Sequence, residues 1–149
     1  MARILFSTMG SLGDLHPYIA VAKGLLERGH RAVIATSGEH RQAVERAGVE
    51  FVETTPRVSD RGDYHADIER LLTAPGGEEF LVRGLVMPQL RETYQVMMEA
   101  SGVDLLVSQT FGMTVPIVAE QRALPWVATL LTPMLFMSIY DPPLIPAAA

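Results

Sequence analysis

The sequence predicts a single α/β domain, a Rossmann-like doubly wound parallel sheet, and three observations carry that expectation. Short apolar, β-prone runs alternate with helical stretches in a β-α-β-α-β order from Arg3 to Val52, which implies parallel strands joined by right-handed crossovers. Gly10, Gly13, Gly29 and Gly48 mark the changes of element, as glycines do where the chain must turn. The 149 residues suffice for one well-buried core and are too few for two ordinary domains.

Arg3-Ile4-Leu5-Phe6-Ser7-Thr8 reads as a buried first strand. Leu15, Tyr18, Ile19, Ala22, Leu25 and Leu26 follow at helical spacing on one face, with Asp14 as cap, Pro17 in the first turn and Gly29 as stop. Ala32 to Thr36 is the second strand, Glu39 to Ala47 the second helix and Val49 to Val52 the third strand. The stretch from Thr54 to about Gly77 is rich in Pro, Gly and Asp. It predicts a long loop with a short helical piece near Ile68 to Leu72, and long loops in compact domains are often functional. Phe80, Met87, Leu90, Tyr94 and Met97 share a face of a longer helix that Pro88 should kink or divide. Leu105 to Val107 is a fourth strand, Pro116 opens a helix reaching Arg122, and Trp126 to Leu131 is a fifth strand. The proline- and alanine-rich tail after Asp141 cannot be regular throughout.

Hydrophobic residues at 48% and charged residues at 19% fit a compact domain rather than disorder. With 17 acidic against 12 basic residues and no basic cluster, a nucleic-acid surface is not expected. The chain has no cysteine. Disulfides, thiolate nucleophiles and Cys-based metal sites are therefore excluded, and a cytoplasmic setting fits. The apolar run at the N-terminus is too brief for a secretory signal. The stretch from Leu124 to Ile139 is broken by Pro125, Thr129, Thr132 and Pro133 and falls short of the ~20 residues a transmembrane helix needs. His30, His40 and His65 show no ligand spacing with carboxylates, so no metal site is expected.

A glycine turn between a first strand and a helix suggests phosphate contact, because glycines let backbone N–H groups approach an anion. The dinucleotide fingerprint is incomplete, however. It needs a third glycine where this chain has His16, and an acid ending the second strand where it has Thr36 and Ser37. On spacing alone the turn is equally compatible with a structural role.

The wider context is more specific. Gly10-Ser11-Leu12-Gly13-Asp14-Leu15-His16-Pro17, with Ala20-Val21-Ala22-Lys23-Gly24-Leu25 and Arg28-Gly29-His30-Arg31 after it, resembles the opening of the sterol and antibiotic glycosyltransferases. Their superfamily also contains the UDP-glucuronosyltransferases and the bacterial lipid-II-forming enzyme. Downstream, Asp104-Leu105-Leu106-Val107-Ser108, Ala119-Glu120-Gln121, Leu124-Pro125-Trp126-Val127 and Thr132-Pro133 resemble the same family's strand, helix, strand and loop in order. The resemblance covers nearly the whole chain, most weakly between Thr54 and Gly102. It implies a GT-B N-terminal domain over residues 1–149, the acceptor-binding half of a two-domain enzyme. The C-terminal half, which would hold the nucleotide sugar, is not in this sequence. The chain also stops before the family's N-terminal domain is complete, as a shortened form or as a subunit of a split enzyme.

The resemblance also implies site residues. Family members with the Gly-Asp version of the motif carry an acid where others have a catalytic histidine, and Asp14 matches it. A carboxylate at a strand's C-terminal end can serve as the base for inverting glycosyl transfer, and helix capping by the same residue is compatible with that role. His16 is the rival base, its ring being suited to the task, although the motif aligns it with a non-catalytic position. Thr114 stands where plant-type relatives have an aspartate that orients their histidine, so that dyad is missing here. Ser11 and Gly13 are candidates for contact with the donor diphosphate or simply parts of the turn. Phe111, Met113, Met134, Phe136 and Tyr140 are core residues or the lining of an apolar acceptor pocket.

The leading expectation is the N-terminal part of an inverting glycosyltransferase. It would move a hexose from a nucleoside-diphosphate sugar, reached through the missing domain, to a hydroxyl of an apolar small molecule such as a polyketide, macrolide, sterol or lipid. No cofactor beyond that co-substrate and no metal is expected, and the fragment alone should be inactive. A stand-alone acceptor-binding module or split-enzyme subunit is the alternative, and a nicotinamide oxidoreductase a weaker one.

Overall fold

The computed structural model describes residues 1–54, 69–70, 73–109, 111–132 and 140. Five strands, β1 (Arg3–Ser7), β2 (Arg31–Thr36), β3 (Glu50–Glu53), β4 (Leu105–Gln109) and β5 (Trp126–Thr129), form one sheet in the order β3-β2-β1-β4-β5. All neighbours pair in parallel, with Leu5 opposite Val33 on one side and Leu106 on the other. The helices are α1 (Leu12–Glu27), α2 (Arg41–Arg46), α3 (Gly77–Glu79), α4 (Leu90–Glu99) and α5 (Thr114–Arg122).

Side chains alternate across the strands, so one sheet makes two cores. Ile4, Phe6 and Ile34 meet Leu15, Tyr18 and Ala22 of α1 and Val44 of α2 on one face. Leu5, Val33 and Leu106 meet Met97 of α4 and Val115 and Val118 of α5 on the other. Helices on both faces are the doubly wound arrangement that the sequence predicts.

Differences from the sequence reading are local. Ser11, not Asp14, is the N-cap of α1, and Asp14 completes a capping box from the first turn. Pro17 lies in the second turn. The Gly13 carbonyl therefore loses a helical partner, and both residues are exposed. At its end, α1 closes as a Schellman motif: Gly29 N–H reaches Leu26 O at 2.9 Å and His30 N–H reaches Leu25 O at 3.0 Å. The second helical segment begins as a 3₁₀ turn, Gly38–His40, before α2. Glu69, Arg70 and Thr73 are helical where a short piece was expected. Pro88 divides the longer helix, with a π-helical stretch Phe80–Val86 and a 3₁₀ turn Met87–Gln89 between α3 and α4. The last strand stops at Thr129, two residues earlier than expected.

The N-terminal ends of the strands are closed by charge pairing. Arg3 pairs with Glu50 and donates to Ser101 O at 2.7 Å, while its N–H donates to Asp104 Oδ2 at 2.7 Å. The opposite, C-terminal edge is left for the glycine turn. No helix among the described residues is long and apolar enough to cross a membrane.

Candidate functional site

The order β3-β2-β1-β4-β5 reverses direction between β1 and β4, and such a reversal opens a crevice at the C-terminal strand ends. The β1–α1 turn lies at that crevice. Gly10 takes φ +116 there, and a Cβ on it would lie 2.5 Å from Asp14 Oδ2. The turn is pinned from both sides: Gln109 Nε2, at the end of β4, donates to Met9 O, and His40 Nε2 lies 3.0 Å from Gly10 O.

Asp14 is half-buried and its two oxygens have different surroundings. Oδ2 accepts from Ser11 N–H at 2.8 Å and from the Ser11 hydroxyl at 3.1 Å. Among the described residues no hydrogen bond reaches Oδ1. The carboxylate is thus held by one oxygen at the first turn of the helix and can accept a proton at the other. His16 is exposed and two residues along the same helix, a spacing that turns side chains away from each other. Ser11 Oγ also accepts from Gly13 N–H at 3.1 Å. The donors of Ser11 and Gly13 are therefore engaged in the cap, and a diphosphate would have to compete for them.

Beside the turn, Phe111 is half-buried and lines a small cavity with Thr8, Met9, Gln109 and, from the opposite wall, Val86 and Leu90. The cavity has room for little more than one water molecule, 20 Å³. Thr8 Oγ1 is buried and has no hydrogen-bond partner among the described residues. An adjoining open groove of 450 Å³ runs between α4 and α5, lined by Tyr94, Met113 and Ile117, and shares Leu90 and Thr114 with the cavity. Met113 is exposed and Thr114 buried. Tyr140 is 92% exposed. Met134, Phe136 and His65 lie outside the described residues, as does most of the expected Thr54–Gly77 loop.

Tyr18, buried one turn beyond Asp14 in α1, hydrogen-bonds Thr129 Oγ1, which donates to Ser108 O at 3.0 Å. Burial, with Asp14's negative charge adding to it, pushes the phenol above its usual 10.0. Sequence reasoning missed these supports. His40 was weighed only as a metal ligand, and nothing in the spacing of Gln109 or Thr129 reports a contact with Met9 or Tyr18.

The model of the glycosyltransferase family 28 N-terminal domain matches residues 4–140. The O-mycaminosyltylonolide 6-deoxyallosyltransferase of Streptomyces fradiae is 32% identical over 139 residues, covering 85% of this chain and 30% of that enzyme. The sterol 3-beta-glucosyltransferase of Glomerella lagenarium is 31% identical over 132 residues, 83% of this chain and 8% of the enzyme. Among solved structures, the calicheamicin glycosyltransferase superposes with a TM-score of 0.69 at 20% identity, covering 87% of this chain and 32% of that one. A spinosyn rhamnosyltransferase complexed with thymidine diphosphate gives 0.59 at 18% identity, covering 91% of this chain and 36% of that one. The chain spans less than a third of the length of these curated relatives.

Proposed function

This chain belongs to the glycosyltransferase family 28 N-terminal domain family, and from that premise we propose that it is the acceptor-binding half of an inverting glycosyltransferase. A nucleoside-diphosphate sugar, held by a second domain outside this sequence, faces the crevice between β1 and β4. The spinosyn relative's thymidine diphosphate supports a nucleotide donor. An apolar acceptor, of the polyketide, macrolide, sterol or lipid kind, lies along the groove lined by Tyr94 and Met113, next to the small cavity lined by Phe111, with its hydroxyl at Asp14. The names of the macrolide and sterol enzymes support that acceptor class. The proposed reaction uses no cofactor beyond the nucleotide sugar, and the cysteine-free chain suits a cytoplasmic enzyme.

The observation that carries the reading is the division of labour in Asp14, with Oδ2 anchored to Ser11 and Oδ1 left without a hydrogen bond among the described residues. Oδ1 takes the proton of the acceptor hydroxyl as that oxygen attacks the anomeric carbon. The bond to the diphosphate breaks on the opposite side, and the sugar inverts.

The test is made in a transferase that carries this chain joined to its donor-binding domain. Asp14→Asn should lower the chemical rate by about 10²–10⁴-fold, the reach of a general base. Folding should be little changed, because the amide oxygen of asparagine can still accept from Ser11 N–H, as glutamine does in capping boxes. His16→Asn should cost far less. The reverse ranking would move the base to His16.

A further inference from the structure

We infer that His40 is a positioning residue for Asp14, acting through the peptide unit that joins Gly10 to Ser11. The inference rests on the reading of Asp14 as the base. The Gly10 carbonyl and the Ser11 N–H belong to one rigid planar group. Its carbonyl is 3.0 Å from His40 Nε2, and its N–H donates to Asp14 Oδ2 at 2.8 Å. A carbonyl only accepts, so His40 donates from Nε2. The result is a chain from imidazole N–H to peptide to carboxylate, in which each bond polarises the next.

The two ends of this chain are unequal in freedom. His40 is 8% exposed and ends the 3₁₀ turn that follows β2, its own N–H bonded to Ser37 O at 3.0 Å. Val44, in the helix that continues from it, is fully buried. Gly10, by contrast, is exposed, carries no side chain to pack, and sits at φ +116. Its peptide would swing easily without an anchor. Gln109 holds the preceding carbonyl, that of Met9, but not the peptide whose N–H meets the carboxylate. His40 therefore decides where that N–H points, and so which way Oδ1 faces.

The experiment has two arms. In the 149-residue chain, His40→Phe keeps an aromatic ring and removes the donor, while His40→Gln restores an N–H at the reach of Nε2. Amide hydrogen exchange at Ser11 should speed up about tenfold in His40→Phe and recover in His40→Gln. The Asp14 carboxyl carbon signal should move and return in step, with exchange at Leu5 and Leu106 unchanged. In the two-domain transferase, His40→Phe should lower kcat about tenfold at constant KM, with recovery in His40→Gln. Unchanged Ser11 exchange and an unmoved Asp14 signal in His40→Phe would overturn the inference. Faster exchange throughout β1 and β4 would also overturn it, since it would mark a role in the general fold. If Asp14→Asn keeps its full rate, the base reading fails by itself, and the exchange and carboxyl signals still decide whether His40 positions the carboxylate.

Discussion

Gly10 and Asp14 occupy one space: a Cβ on the glycine would stand 2.5 Å from the carboxylate oxygen Oδ2. The turn and the carboxylate therefore depend on each other, and a substitution at Gly10 acts on the site by displacing Oδ2, the oxygen that anchors Asp14 to Ser11. The same position carries φ +116, a conformation that side chains resist.

Gly10→Ala should destabilise the fold by about 1–3 kcal/mol, from the backbone conformation and the clash together. Thermal melting of the 149-residue chain measures this. In the two-domain transferase the same change should lower the rate by more than the lost folded fraction explains. Wild-type stability and rate would show that the turn does not press on Asp14.

Helix α5 lacks the glycine stop that ends α1. Ala123 takes the left-handed position itself, at φ 50, with Leu124 N–H bonded to Ala119 O at 2.9 Å. A non-glycine residue there costs roughly 1–2 kcal/mol, partly offset by the lower backbone entropy of alanine. Ala123→Gly should therefore stabilise the chain by about 0.5–1 kcal/mol, read from the urea midpoint at constant m-value. A lower midpoint would mean that Ala123 packs more usefully than its conformation costs.

The parallel sheet and its two faces were legible because buried strands and amphipathic helices impose periods on sequence. Ile4 and Phe6 alternate with Leu5, and Leu15, Tyr18 and Ala22 recur at helical spacing. The cap of α1 was misplaced: Asp14 was read as the cap, whereas Ser11 holds that position and Asp14 closes the capping box from the first turn, because a short polar residue at either place can satisfy the free N–H groups of a helix start. The contacts of His40 with Gly10 and of Gln109 with Met9 join residues far apart in the chain. Contacts of that kind leave no period to read.

The 149-residue chain by itself should form no glycoside from UDP- or dTDP-sugars with a panel of apolar alcohols, because the proposed donor pocket lies elsewhere. NAD and NADP should not bind either, since β2 ends in Thr36 with Ser37 next and offers no acid to a ribose. Chromatography of the reaction mixtures and calorimetric titration measure the two. Turnover at the rate of a complete enzyme contradicts the half-enzyme reading, and micromolar NAD affinity revives the oxidoreductase one.

Tyr18 ties α1 to β5 through Thr129 and should make stability fall in alkali. Its phenol is raised above 10.0 by burial foremost and by the charge of Asp14, whereas the unfolded chain titrates near the ordinary value of about 10. Above that pH the unfolded state binds fewer protons than the folded one, so stability declines as pH rises. The contribution is complete below about pH 10 and is lost as pH climbs through the folded value. Tyr18→Phe should cost about 0.5–1.5 kcal/mol at pH 8 for the lost hydrogen bond, yet lose less further stability than wild type between pH 9 and about 11. Urea midpoints measured for both across that range separate the two effects. Parallel pH profiles would show that the Tyr18 phenol does not titrate differently on folding.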